Sequence, residues 1–89
     1  MHQKFKLKFL GNIYELKGED PDVDLQEVAS YVENKAREIE EKHANLPPTR
    51  LMVLIAMSLG RDYMVLKKRL TTLEKKLNIE VQRLSKKIK

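Results

Sequence analysis

The chain has 89 residues, among them 18 Lys or Arg, 13 Asp or Glu and no cysteine. That length allows one domain with a modest core, and the missing thiols exclude a disulfide framework or a thiolate metal site. Charge is uneven: residues 1–46 hold seven basic and ten acidic residues (−3), and residues 47–89 hold eleven and three (+8), for a net +5. The second half therefore suits an acidic partner, unless its lysines only keep a helix soluble.

Residues 4–9, Lys-Phe-Lys-Leu-Lys-Phe, alternate with period two and predict a half-buried strand. Leu10-Gly11-Asn12-Ile13 then reads as a tight hairpin turn with Gly11 and Asn12 at its centre. That turn pairs Phe9 with Tyr14, Lys8 with Glu15 and Leu7 with Leu16. Phe5, Leu7, Phe9, Tyr14 and Leu16 then share one face, and Lys4, Lys6, Lys8, Glu15 and Lys17 the other. A lone hairpin is marginal in water and needs helices against it.

A loop, KGEDPDV, follows. Asp24 is the expected N-cap of the first helix, with Glu27 positioned for a capping box; a start at Asp20 and Pro21 competes with it. Leu25, Val28, Ala29, Val32, Ala36 and Ile39 form one apolar stripe at helical spacing. The prolines of HANLPP end the helix, and Pro48 suits the first turn of a second one. No further stop signal precedes about Lys87, so the second helix runs on for about 60 Å. The expected fold is thus α+β and mainly helical: a hairpin–helix head (residues 1–60, with the start of the long helix) and a coiled-coil rod (residues 61–89).

The long helix opens with seven consecutive apolar residues, Leu51 to Met57. That is too short for a bilayer span, which takes about 20 residues, and the amino terminus lacks the apolar core of a signal peptide. A cytoplasmic setting is expected. On a helix, Leu51, Leu54, Ile55, Ser58, Leu59, Asp62, Tyr63 and Leu66 make one face, and Met52, Val53, Ala56, Met57 and Gly60 another. The head can cover only one of them, so a second copy of the chain is expected on the other.

Farther on, Leu59, Tyr63, Leu66, Leu70, Leu73 and Leu77 step by alternating fours and threes, a coiled-coil seam. Val81, Leu84 and Ile88 continue it after a stutter. The expected oligomer interface runs from Leu51, Leu54 and Ile55 through Ser58, Leu59, Asp62 and Tyr63 along this seam to Ile88. Dense like charge on the rod argues against parallel, in-register packing at low salt.

Catalytic chemistry finds little support. His2 and His43 have no ligand partner three or four residues away. The hydroxyls lack a His–Asp arrangement, and Gly11, Gly18 and Gly60 form no phosphate-binding loop. No enzyme, metal, cofactor or small-molecule substrate is expected. Asp62, inside an apolar face, suits a role in setting register.

Three segments, LGNIYEL, VASYVENKAREIEEK (28–42) and LMVLIAMSLGRDYMVLKKRLTTLEKKL (51–77), resemble in order and spacing the ZapA family of cell-division proteins. The resemblance implies a non-enzymatic adaptor at the division site. It binds FtsZ, the tubulin-like division GTPase, and promotes lateral bundling of its filaments. It also implies dimers through the long helix and, in some members, antiparallel tetramers. Candidate contacts to FtsZ are Asn12, which stands at the hairpin tip where other members carry Arg, with Lys35, Arg37, Lys42 and Arg61.

The competing reading is a basic coiled coil that binds nucleic acid or serves as a bare scaffold. Residues 64–89 hold nine basic and two acidic residues. Against nucleic acid, the basic residues flank the seam instead of forming a separate forked region, and no aromatic lies there to stack on bases.

Overall fold

A computed structural model describes residues 3–87, and the side chains of residues 3–84. His2 and Ile88 lie outside the described residues. The element order is β1 (Gln3–Phe9), β2 (Asn12–Gly18), α1 (Leu25–Lys42) and α2 (Pro48–Lys87). Residues 1–59 and 60–89 form two compact units.

In the first unit, β1 and β2 form a two-stranded antiparallel sheet. The pairing is Phe5 with Leu16, Lys6 with Glu15, Leu7 with Tyr14 and Phe9 with Asn12. The register expected from a Gly11–Asn12 turn is therefore corrected by two residues. The residues with positive φ are Leu10 (52°) and Gly11 (83°). Two consecutive positive φ values match the twist of a type I′ hairpin, so the turn is centred on Leu10 and Gly11. Gly11 adopts this conformation freely, whereas Leu10 is held there at a cost of roughly 1–2 kcal/mol. A shift of two preserves every side chain's face, and along β1 the pattern stands: Phe5, Leu7 and Phe9 are half-buried, and Lys4, Lys6 and Lys8 exposed.

Helix α1 begins after Asp24, whose Oδ1 accepts the N–H of Gln26 at 2.9 Å. This decides between the two expected starts. The acceptance falls one residue earlier than the Glu27 position of a capping box. Upstream, Asp20 Oδ1 accepts from the Asp22 N–H at 2.8 Å, folding the loop in an Asx turn.

The free edge of β1 is closed by α1. Lys6 N–H donates to Gln26 Oε1, and Gln26 Nε2 donates back to the Lys6 carbonyl, both at 3.2 Å. One primary amide thus replaces a peptide group of a missing strand. Lys8 N–H donates to Glu33 Oε1 at 2.7 Å. Gln26 and Glu33 are seven residues apart and so share a helix face, which aligns α1 with the strand edge. Gly18 lies close to α1: a Cβ there would sit 2.8 Å from Leu25 Cδ1, so the leucine tip would have to turn aside.

The core of this unit is small. Ala36, Ile39, Leu51 and Ile55 are buried, and Phe9, Leu10, Leu46, Leu54 and Leu59 pack around them. Ala29 is buried as well. Small residues at 29 and 36 allow close approach to α1, while Ile39, Leu51 and Ile55 are the large buried side chains. Each such side chain contributes about 1.5–3 kcal/mol on burial. Pro48 takes the first position of α2 as its spacing predicts, and the Leu51 N–H bonds the Pro47 carbonyl at 3.1 Å.

The second unit is helical throughout its described length, a continuation of α2 to Lys87. Its threonines face away from the seam and bond back along the helix: Thr71 Oγ1 donates to the Lys67 carbonyl at 3.0 Å, and Thr72 Oγ1 to that of Lys68 at 2.9 Å.

Candidate functional site

The apolar surface of α2 divides into a covered and an uncovered part. Leu51 (8% exposed) and Ile55 (2%) are buried in their own chain, with Leu54 and Leu59 packed on the same core. Leu51, Leu54 and Ile55, expected at an intermolecular interface, thus pack on the core of their own chain. The face left open in this stretch carries Met52, Val53 and Met57, with Ala56 and Gly60 also exposed. A Cβ built on Gly60 would meet nothing within 4 Å.

In the second unit the seam residues stand in solvent. Tyr63, Leu66, Leu70, Leu73, Leu77, Val81 and Leu84 are all more than half exposed. Seven large apolar side chains at heptad spacing on one helix would scatter round the cylinder if the spacing were accidental; here they form one stripe. Ser58 and Asp62 are half-buried, and Lys67 Nζ lies over the Tyr63 ring, 6.0 Å from its centroid.

The seam also starts earlier than Leu59. Counting back, Ala56 and Met52 continue the alternation of three and four residues. Sequence reasoning missed both because the run Leu51–Met57 is apolar in every direction. The spacing alone could have found them.

The candidate polar contacts are dispersed. Lys35 is largely covered: its Nζ is 3.8 Å from Glu38 Oε2 and lies over the Tyr31 ring. Arg37 donates to Asn34 Oδ1 at 3.1 Å. Lys42 is exposed in the last turn of α1, where a cation favours the helix dipole. Asn12 closes the hairpin opposite Phe9. Arg61 is exposed and belongs to the second unit.

A more concentrated basic surface lies on the outer face of the hairpin. Lys4 sits directly opposite Lys17, an unfavourable like-charge pair. Lys6 reaches Glu15 only at 4.0 Å, with both side chains mostly exposed.

Among the described residues, no group of three or more His, Cys, Asp or Glu is placed to hold a metal ion. Among the described residues, no helix is long and apolar enough to cross a membrane.

The geometry is that of a hairpin–helix unit followed by a long helix with an open heptad stripe, a surface suited to assembly. The family comparison agrees: the model for "Cell division protein ZapA" matches residues 5–88. Relatives carrying that name include one from Bacillus pumilus (strain SAFR-032), 35% identical over 71 residues, covering 80% of this chain and 84% of that protein. One from Geobacillus sp. (strain WCH70) is 37% identical over 70 residues, covering 79% and 80%. One from Bacillus subtilis (strain 168) is 32% identical over 74 residues, covering 83% and 87%. The chain belongs to the ZapA family of cell-division proteins. No solved structure matches it.

Proposed function

We propose that this protein is a non-enzymatic adaptor that binds FtsZ filaments in the cytoplasm at the division site and draws them together laterally. Family membership supports the division role. The observation that carries the adaptor mechanism is the open seam of α2, with seven large side chains in solvent at heptad spacing. A second copy is the cover that such spacing selects. Self-association duplicates every surface of the first unit, so a weak site for a filament becomes bivalent. Bivalence is enough to crosslink filaments, and no bond need be made or broken.

The filament contacts proposed are Asn12, Lys35, Arg37, Lys42 and Arg61, for an acidic partner surface. Arg37, Lys42 and Arg61 are the exposed cations of that set, while Lys35 lies against Glu38 and Tyr31. The hairpin lysines Lys4, Lys8 and Lys17 offer the same chemistry at higher density.

Co-sedimentation with polymerising FtsZ and GTP, followed by light scattering, tests the function. The expected result is more FtsZ in the pellet, with this protein beside it. Absence of co-pelleting at moderate salt contradicts the proposal. Reversing charge at Lys35, Arg37 and Lys42 together should weaken the effect; unchanged pelleting moves the contact elsewhere, with the hairpin lysines next to be reversed.

A further inference from the structure

We infer that the open edge of β2 pairs with the same edge of a second copy, Glu15 of each chain opposite Lys17 of the other, so that two hairpins form one four-stranded antiparallel sheet. The inference rests neither on the seam of α2 nor on FtsZ as the partner.

The two edges of the hairpin differ. On β1, the N–H groups of Lys6 and Lys8 point outward and are taken by Gln26 and Glu33 of α1. In an antiparallel pair, residues opposite one another turn their N–H and C=O groups either both into the ladder or both out of it. Glu15 lies opposite Lys6, Ile13 opposite Lys8 and Lys17 opposite Lys4. The N–H and C=O groups of Ile13, Glu15 and Lys17 therefore point out of β2, away from β1. Among the described residues, none of these groups has a partner.

Free edges are usually blunted by a proline, a bulge or a covering element. β2 has no proline and pairs with β1 residue for residue, without a bulge. Every residue from Asn12 to Lys17 is exposed, the large apolar Ile13, Tyr14 and Leu16 among them. Tyr14 and Leu16 are the cross-strand partners of Leu7 and Phe5, and so share the half-buried face of the sheet. The one guard left on the edge is charge, at Glu15 and Lys17.

That charge selects the occupant and the register. Two-fold pairing of two β2 edges sets outward residues opposite outward residues. Centring the pair on Glu15 or on Lys17 brings like charges together. Centring it on Ile13 or Tyr14 carries Lys17 past the start of the other copy's β2. Centring it on Leu16 places Glu15 opposite Lys17 twice and Leu16 opposite Leu16. A row across the sheet then reads Lys4, Lys17, Glu15, Lys6, so the like-charged pair Lys4 and Lys17 gains a carboxylate beside it. An acidic segment of another protein would answer Lys17 but meet like charge at Glu15. Together with the seam cover proposed above, this second self-complementary surface would string copies into an open row.

The chain has no native cysteine, so single cysteines report the pairing. Leu16→Cys stands at a non-hydrogen-bonded position on the two-fold axis, with Cα atoms about 4.5 Å apart, within the reach of a disulfide. Ile13→Cys stands about 20 Å from its counterpart, six residues along the strand. Under mild oxidation of the full chain, Leu16→Cys should give a disulfide-linked dimer and Ile13→Cys should not. Adding Glu15→Lys to Leu16→Cys should slow crosslinking about tenfold, since two cross-strand pairs turn repulsive together. Adding Lys17→Glu as well should restore the rate, which a misfolded hairpin would not do. Adding Leu70→Ala, a change on the seam, should leave it unaltered. Equal crosslinking at 13 and 16, a rate indifferent to Glu15→Lys, or a rate that falls with Leu70→Ala would each overturn the proposal. So would no crosslinking at 16, which would leave the edge to an extended segment of another protein.

Discussion

Two stretches of α2, similar in apolar content, differ in what covers them. Between Leu51 and Leu59 the chain covers one face of its own helix: Ile55 is 2% exposed, although Met57 on the other face is 69% exposed. Between Tyr63 and Leu84 it does not: Leu66 is 66% exposed. Apolar composition therefore says that a helix face will be covered, but not by which chain. In the first stretch the supply of cover is local, from α1 and the hairpin turn residue Leu10. In the second, the periodicity is sharper and the described part of the chain leaves the stripe exposed.

The contrast breaks most sharply at the buried end. Ile55→Ala truncates one of the few buried side chains and should cost about 2–5 kcal/mol. Urea denaturation should show that loss at any protein concentration, because the core is internal to one chain. A loss that vanished on dilution would mean Ile55 belongs to an intermolecular contact after all.

Leu70→Ala should behave in the opposite way. Both copies lose a packed leucine, and the dissociation constant should rise by at least about tenfold, since a truncation of this kind costs on the order of 2 kcal/mol. The first unit should keep its denaturation midpoint at low concentration. Sedimentation equilibrium separates the two effects.

Smaller changes sharpen the account of the first unit. Asp24→Ala removes the acceptor for the Gln26 N–H and should cost about 1 kcal/mol, read as a fall in thermal midpoint without any change in association. Lys6→Ala should change stability by less than about 0.5 kcal/mol, because the Lys6–Glu15 pair is long and exposed. A larger loss would mean that the lysine stem packs on its neighbours.

Much of this was legible in the sequence, and the exceptions have physical reasons. The strand faces followed from period two, yet the register was off by two residues. Centring the turn on Gly11–Asn12 or on Leu10–Gly11 gives the same faces, so the hydrophobic pattern is blind to the choice; only the positive φ of Leu10 decides it. The start of α1 at Asp24 and of α2 at Pro48 were readable because capping and proline chemistry are local. The partition of Leu51, Leu54 and Ile55 into the chain's own core was not readable. A helix apolar on all sides carries no phase, and only tertiary contact assigns it. The apolar stripe from Tyr63 onward, which the structure leaves exposed, stands out in the sequence for the converse reason: charge surrounds it and gives it a phase. The candidate filament contacts were least legible, because an exposed cation looks the same in sequence whether or not it meets a partner. Lys35 shows this, being engaged with Glu38 and Tyr31 in its own helix.

The central claim is that a second copy covers the open seam. Sedimentation equilibrium of the intact chain across a hundredfold concentration range tests it most directly. One chain weighs 10.5 kDa. The account predicts a mass of twice that value or a higher multiple, falling only on strong dilution. A single-chain mass throughout, with the helical signal of residues 60–87 intact, would contradict it.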